Sequence, residues 1–139
     1  MPARRPPRAM LLAPALLALL AGSPAAAQTS SVAAWRATPA SVLKASLRSV
    51  AAAQARHRTA RGAYASSSAP LAVALEPGVQ VDILAAGPRG WQARATHRDQ
   101  PGRSCVIFVG RIDGVEAPRT AEAGEMAGEA GIPLCDLMR

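Results

Sequence analysis

Residues 79–109, VQVDILAAGPRGWQARATHRDQPGRSCVIFV, decide the fold. Val79, Val81 and Ile83 alternate with Gln80 and Asp82, the period-two pattern of a half-buried strand. Gly87-Pro88-Arg89-Gly90 turns the chain. Trp91, Ala93, Ala95 and His97 then share one face, opposite Gln92, Arg94, Thr96 and Arg98. Pro101-Gly102 suits the centre of a type II turn. Cys105 to Arg111 follows as a third strand, apolar on both faces through Val106, Ile107, Phe108 and Val109, which marks it as the central or best-covered one. Three strands joined by two short turns make an antiparallel meander.

Upstream, the period changes to that of a helix. Thr38 reads as an N-cap and Pro39 as the first helical residue. Val42, Leu43, Leu47 and Val50 follow at helical spacing, and Ala51 and Gln54 continue the face. Alanine is abundant from Ala45 to Ala60, which favours helix without a deep core. Gly62 is a natural stop. The spacing predicts one helix from about Pro39 to Arg61. Tyr64 to Pro70 is a turn-rich connector, Leu71 to Leu75 an extended or short helical piece, and Glu76-Pro77-Gly78 a turn. The fold class expected is α+β, one long N-terminal helix packed on a three- to four-stranded antiparallel sheet.

Downstream of the meander, Gly114 to Gly131 holds Gly, Ala and Glu with no useful period. Residues 113–131 read as a long, mobile acidic loop. Ile132-Pro133-Leu134-Cys135 is the segment that a disulfide from Cys105 would pin. Charge is segregated along the chain. Residues 28–75 carry six basic side chains and no acid, whereas residues 113–139 carry six acids against two arginines.

The first segment sets the compartment. Arg4, Arg5 and Arg8 form a basic region, Met10 to Ala21 an apolar run, and Gly22, Ser23 and Pro24 break it. Ala25-Ala26-Ala27 supplies the small residues that signal peptidase requires before Gln28. The apolar run is about a dozen residues, short of the roughly 20 that a spanning helix needs. Residues 1–27 are therefore expected to be a cleaved signal peptide, 28–37 a leader and 38–139 a single domain, exported to the periplasm or beyond. Three of the sixteen Lys and Arg residues leave with the signal, so thirteen remain against nine acids, a balance of +4. The high overall basicity is thus partly a property of the targeting segment.

Cysteine usage agrees with export. Cys105 and Cys135 are the only two, and an oxidising compartment favours pairing them. Two cysteines without convergent histidine spacing do not make a zinc site.

The order of one long helix, a Gly-x-Tyr connector, a meander and a late cysteine pair resembles the globular part of type IV pilins and of the pseudopilins of type II secretion. Ala51-Ala-Ala-Gln-Ala-Arg-His57 followed by Gly62-Ala-Tyr64 looks like their helix end and Gly-x-Tyr junction. Gly78 to Ile83, Gly90 to His97 and Gly102 to Cys105 resemble successive sheet segments, so the resemblance covers roughly residues 40–112 with Cys135 as closing point. Pilins, however, begin with a short basic leader and a Gly-Phe-Thr-Leu-Ile-Glu type processing site, and they keep their apolar helix. This chain has no such site, and its apolar run is built to be cut off. The resemblance implies a soluble pilin-like domain, with pilus or secretion-system proteins as partners, more than a filament subunit.

Catalysis has little support. His57 and His97 lie on different elements without a recognisable catalytic motif around them, and Ser66 to Ser68 has no evident base. Asp82 and Asp99 show no sign of a paired acid and base. No cofactor or metal is implied. Lys44, Arg48, Arg56, Arg58 and Arg61 stud the helix, while Arg89, Arg94, Arg98 and Arg103 line the second strand and its turns. Of these, Arg56, Arg58, Arg61, Arg94 and Arg98 are the candidate anion-binding residues. The aromatics Trp35, Tyr64, Trp91 and Phe108 are too scattered for a base-stacking platform. The reading is a non-catalytic structural or interaction module. Its competitor is a periplasmic binding protein for an anionic ligand, nucleic acid or surface.

Overall fold

The computed structural model describes residues 37–139. The expected signal peptide, and all but the last residue of the expected leader, lie outside the described residues. Helix α1 spans Pro39–Arg61 and opens as the Thr38-Pro39 pair suggests. The Thr38 Oγ1 accepts the Ser41 N–H at 3.2 Å, and the Ser41 hydroxyl donates back to the Thr38 carbonyl at 2.8 Å. These bonds occupy a donor that the first turn would otherwise leave unpaired. At the other end Gly62 takes φ +77 and donates its N–H to the Arg58 carbonyl at 2.7 Å. A side chain there would be strained, which is why glycine ends the helix.

Four strands follow in one antiparallel sheet, ordered as in the chain: β1 Val79–Ala86, β2 Gly90–His97, β3 Ser104–Gly110 and β4 Leu134–Cys135. Between helix and sheet the connector forms one short 3-10 turn, Ala69–Leu71. The turn from β2 to β3 closes with the Arg103 N–H on the Gln100 carbonyl at 3.2 Å, and Gly102 at φ +76 sits at its third position. That is the geometry read from Pro101-Gly102. β3 is paired on both sides and buries Cys105, Val106 and Ile107 completely, as expected of a central strand.

One irregularity carries no sequence signal. Ile83 pairs with Ala93 and Ala85 with Gln92, so Leu84 is an extra residue in β1. This β-bulge leaves Leu84 40% exposed and ends the strict alternation that begins the strand.

Helix α1 lies against one face of the sheet. Leu43, Leu47, Val50 and Ala53 meet Val81, Trp91, Ala93, Ala95, Cys105 and Ile107 in a single core. Ala93 and Ala95 let the helix approach closely, and Trp91 fills the volume beside them. No described helix is long and apolar enough to cross a membrane.

The opposite face of the sheet is covered in part by residues 113–131. Gln92 donates to the Glu116 carbonyl at 2.5 Å, the Ala121 N–H bonds the Ser104 hydroxyl at 2.8 Å, and the Gly131 N–H reaches the Phe108 carbonyl at 2.7 Å. Within the segment Arg119 bridges Met126, and the Ala127 N–H bonds the Pro118 carbonyl at 2.9 Å. Where the sequence offers only an acidic loop without period, the chain has no helix or named strand, yet it is fastened at both ends and in the middle. The molecule is therefore layered as helix, sheet and irregular cover.

Candidate functional site

Strand β4 is only two residues long, yet its last residue and the one just past it both act. Cys135 registers opposite Cys105 and is disulfide-bonded to it. The next residue, Asp136, points to the other face because successive strand side chains alternate. Its carboxylate accepts three backbone N–H groups: Ser104 at 2.8 Å, Glu122 at 3.1 Å and Ala123 at 2.8 Å. Burial alone would push this carboxyl up. The N–H groups of Ala123, Glu122 and Ser104, aided by the Thr120 side chain, outweigh burial and hold it at a pKa of about 2. A buried carboxylate thus gathers β3 and the acidic segment onto one point.

The junction between helix and sheet has its own buried polar group. Gln54 is fully buried on α1 and clamps Ala65 from both sides: its Nε2 donates to the Ala65 carbonyl and its Oε1 accepts the Ala65 N–H, each at 2.8 Å. Tyr64 packs against the core, and its hydroxyl accepts from Arg58 Nη1 at 2.9 Å. The same guanidinium lies 4.9 Å from the Tyr64 ring centroid. His57 Nδ1 donates to the Ala63 carbonyl at 3.0 Å. Arg58 and His57 therefore serve the Gly-x-Tyr junction rather than an open site.

The five candidate anion-binding arginines do not converge. Arg56, Arg58 and Arg61 are exposed on α1. Arg94 alternates with Ala93 and Ala95, which meet the helix, so it stands on the opposite face of the sheet. Arg98 sits in the β2–β3 turn, its Nε 3.8 Å from the Asp99 carboxylate. The structure instead groups Arg94 and Arg98 with Arg103. These three, with His97, Gln80, Thr96 and flanking turn residues, line an open recess of about 360 Å³. Arg103 is nearly buried and gripped by Glu122, through Nε at 2.7 Å and Nη2 at 3.1 Å. The hydrogen bond raises the Arg103 pKa against the effect of burial, and the same bond holds the Glu122 carboxyl below its ordinary value. Beyond the far end of the same hairpin, Arg89 pairs with Asp113 at 2.6 Å. Its neighbours line a larger open recess of about 540 Å³ that includes Phe108, Ile112 and Glu116.

Sequence reasoning missed the two most consequential polar residues. Gln54 read as a continuation of the apolar helix face, and that position was itself the signal, since a glutamine on a buried stripe needs a partner. Asp136 follows a half-cystine, and its capping role is visible only once the strand register is known. His97 Nδ1 accepts the Asp99 N–H at 3.1 Å and lies on a different element from His57, so the two histidines are not brought together. Among the described residues no group of three or more His, Cys, Asp or Glu is arranged to hold a metal ion. The chain matches no family model, and no curated protein or solved structure matches it significantly.

Proposed function

We propose that this chain is an exported, non-catalytic, pilin-like structural or interaction module, released into the periplasm or medium by removal of residues 1–27. The observation that carries the reading is the arrangement of α1 across one face of an antiparallel meander, with the third strand disulfide-bonded to the last. That order of elements is the one the pilin resemblance implies. The Cys105–Cys135 bond suits an oxidising compartment. The outward side of α1 bears Arg48, Arg56 and Arg61 without a single acid on the helix, a surface fitted to a partner that carries negative charge.

N-terminal sequencing of the exported product tests the release. A start near Gln28 is expected; retention of Met10–Ala21 would return the chain to the anchored, assembling class. Cross-linking in the exporting cell tests the partner. Capture of pilus or secretion machinery supports the interaction reading, and a chain that cross-links to nothing overturns it.

The second reading, an anion-binding protein, is favoured by the recess that groups Arg94, Arg98 and Arg103. A pull-down on DNA at low and high salt separates a polyanion from a small ligand, because phosphate-backbone contacts weaken steeply with salt. No retention on DNA at low salt removes nucleic acid as the partner.

A further inference from the structure

Arg94 is the one arginine of the β2–β3 recess that no carboxylate or other acceptor of the described chain engages. Arg103 is matched by Glu122, and Arg98 lies near Asp99. Asp82, the cross-strand neighbour of Arg94, takes the Gln80 amide instead, at 3.1 and 3.3 Å. The Nε of Arg94 is buried and has no hydrogen-bond partner. A buried donor left in that state forfeits its hydration without recompense, so native proteins rarely keep one without a role for it.

The surroundings favour an anion. None of the residues lining the recess is an acid, whereas three are arginines and one a histidine. Thr96, on the same face of β2 as Arg94, adds a hydroxyl. Gly78 keeps the rim open: a Cβ there would stand 3.1 Å from Arg98 Nε and from His97 Cε1. Arg98 can therefore lie back over the rim. A volume of about 360 Å³ is at the lower end for ligand pockets, which suits a headgroup rather than a large apolar molecule.

We infer that this recess binds a small oxyanion, a phosphate or carboxylate group, through the planar fork of Arg94, with Arg98 supplying a second charge at the rim. The guanidinium geometry matches such groups through paired N–H donors. The site stands independently of whether the chain assembles with a secretion system, since it lies on the sheet face away from α1.

The test is a titration of the full chain with inorganic phosphate in one arm and acetate in the other, at low ionic strength, following the Arg Nε–Hε signals by NMR. A saturable shift of the Arg94 Nε–Hε signal is expected, and the anion that saturates it at lower concentration assigns phosphate or carboxylate. Arg94→Lys keeps the charge but removes the fork, and is expected to weaken binding roughly tenfold. Arg98→Gln should weaken it severalfold. Arg111→Gln, exposed just past β3 at the other end of the sheet, should leave it unchanged. No saturable Arg94 signal in either arm overturns the site, whether or not the variants fold. Equal weakening by Arg111→Gln overturns it as well, since the effect would then be one of overall charge.

Discussion

Replacing Asp136 by asparagine removes one negative charge and no volume, so it isolates what the carboxylate does. Three N–H groups converge on two oxygens, Ser104 and Glu122 on Oδ2 and Ala123 on Oδ1. An asparagine offers one oxygen and sets an NH2 group against at least one of these donors. Each donor stranded in a buried site costs about 1–3 kcal/mol. The depressed pKa gives a second route to the magnitude. A fall from 3.8 to about 2, at roughly 1.4 kcal/mol per unit, corresponds to about 2 kcal/mol. Both routes place the cost of Asp136→Asn near 2–3 kcal/mol, or about 10–20 °C in Tm for a domain of this size. Because the folded pKa is lowered, the carboxylate's contribution is fully present above the unfolded value near 3.8 and is lost as pH falls through about 2. Urea unfolding of the oxidised protein, followed by tryptophan fluorescence at pH 7, 4 and 2.5, measures it. The gap between wild type and variant should be widest at pH 7 and close toward pH 2.5. A variant as stable as wild type at pH 7, or a gap that does not change with pH, refutes the assignment.

Gln54→Leu leaves the Ala65 N–H and carbonyl unpaired in the core, so a loss of about 2–4 kcal/mol is expected in the same urea assay; a loss below half a unit on that scale would mean that water replaces the amide. Opening the Cys105–Cys135 bond frees an interval of 30 residues, worth about 3–4 kcal/mol in the chain-entropy description. The urea midpoint should drop accordingly on reduction, and an unmoved midpoint would show the bond to be dispensable. Trp91→Ala removes the largest fully buried side chain, at a cost of about 3–5 kcal/mol. Loss of cooperative unfolding is expected by circular dichroism, whereas a soluble, cooperatively folded variant would argue that Trp91 serves binding rather than the core.

The parts of this fold that follow from local periodicity could be read from the chain. Thr38-Pro39 and Gly62 bracket a helix because capping chemistry is local, and Val79 to Val109 spells a meander because strand alternation and turn residues are local too. The disulfide followed from composition, since two cysteines in an oxidising compartment leave one pairing. What could not be read depends on register. The bulge at Leu84 arises from pairing with β2, and nothing in Ile83-Leu84-Ala85-Ala86 announces it. The acidic segment is organised by Asp136 and Ser104, both outside it, so its own residues show no period. The arginines illustrate the same limit. A helix set and a strand set look like one basic population in sequence, but alternation about Ala93 and Ala95 puts Arg94 on the face away from the helix, where Arg98 and Arg103 line a recess with it.

The two-residue strand β4 explains how so small a core supports a third layer. Cys135 faces the helix side and is covalently tied to Cys105, while Asp136 faces the other side and holds residues 120–123 to β3. Adjacent residues of an extended chain point to opposite faces, so the last residue of β4 and the one just past it secure both layers. Two hydrogen-bonded residues would be a marginal strand by themselves. The covalent bond removes the entropic cost of bringing β4 into register, and only then can the Asp136 carboxylate meet three N–H groups that are already aligned. The dependence runs in one direction. The disulfide needs only the Cys105–Cys135 register, but the carboxylate needs that register to hold it inside the sheet. Loss of the bond should therefore loosen β4 and the Asp136 contacts to Glu122 and Ala123, while the bonds from Gln92 to Glu116 and from Gly131 to Phe108 still tie the rest of the cover to the sheet.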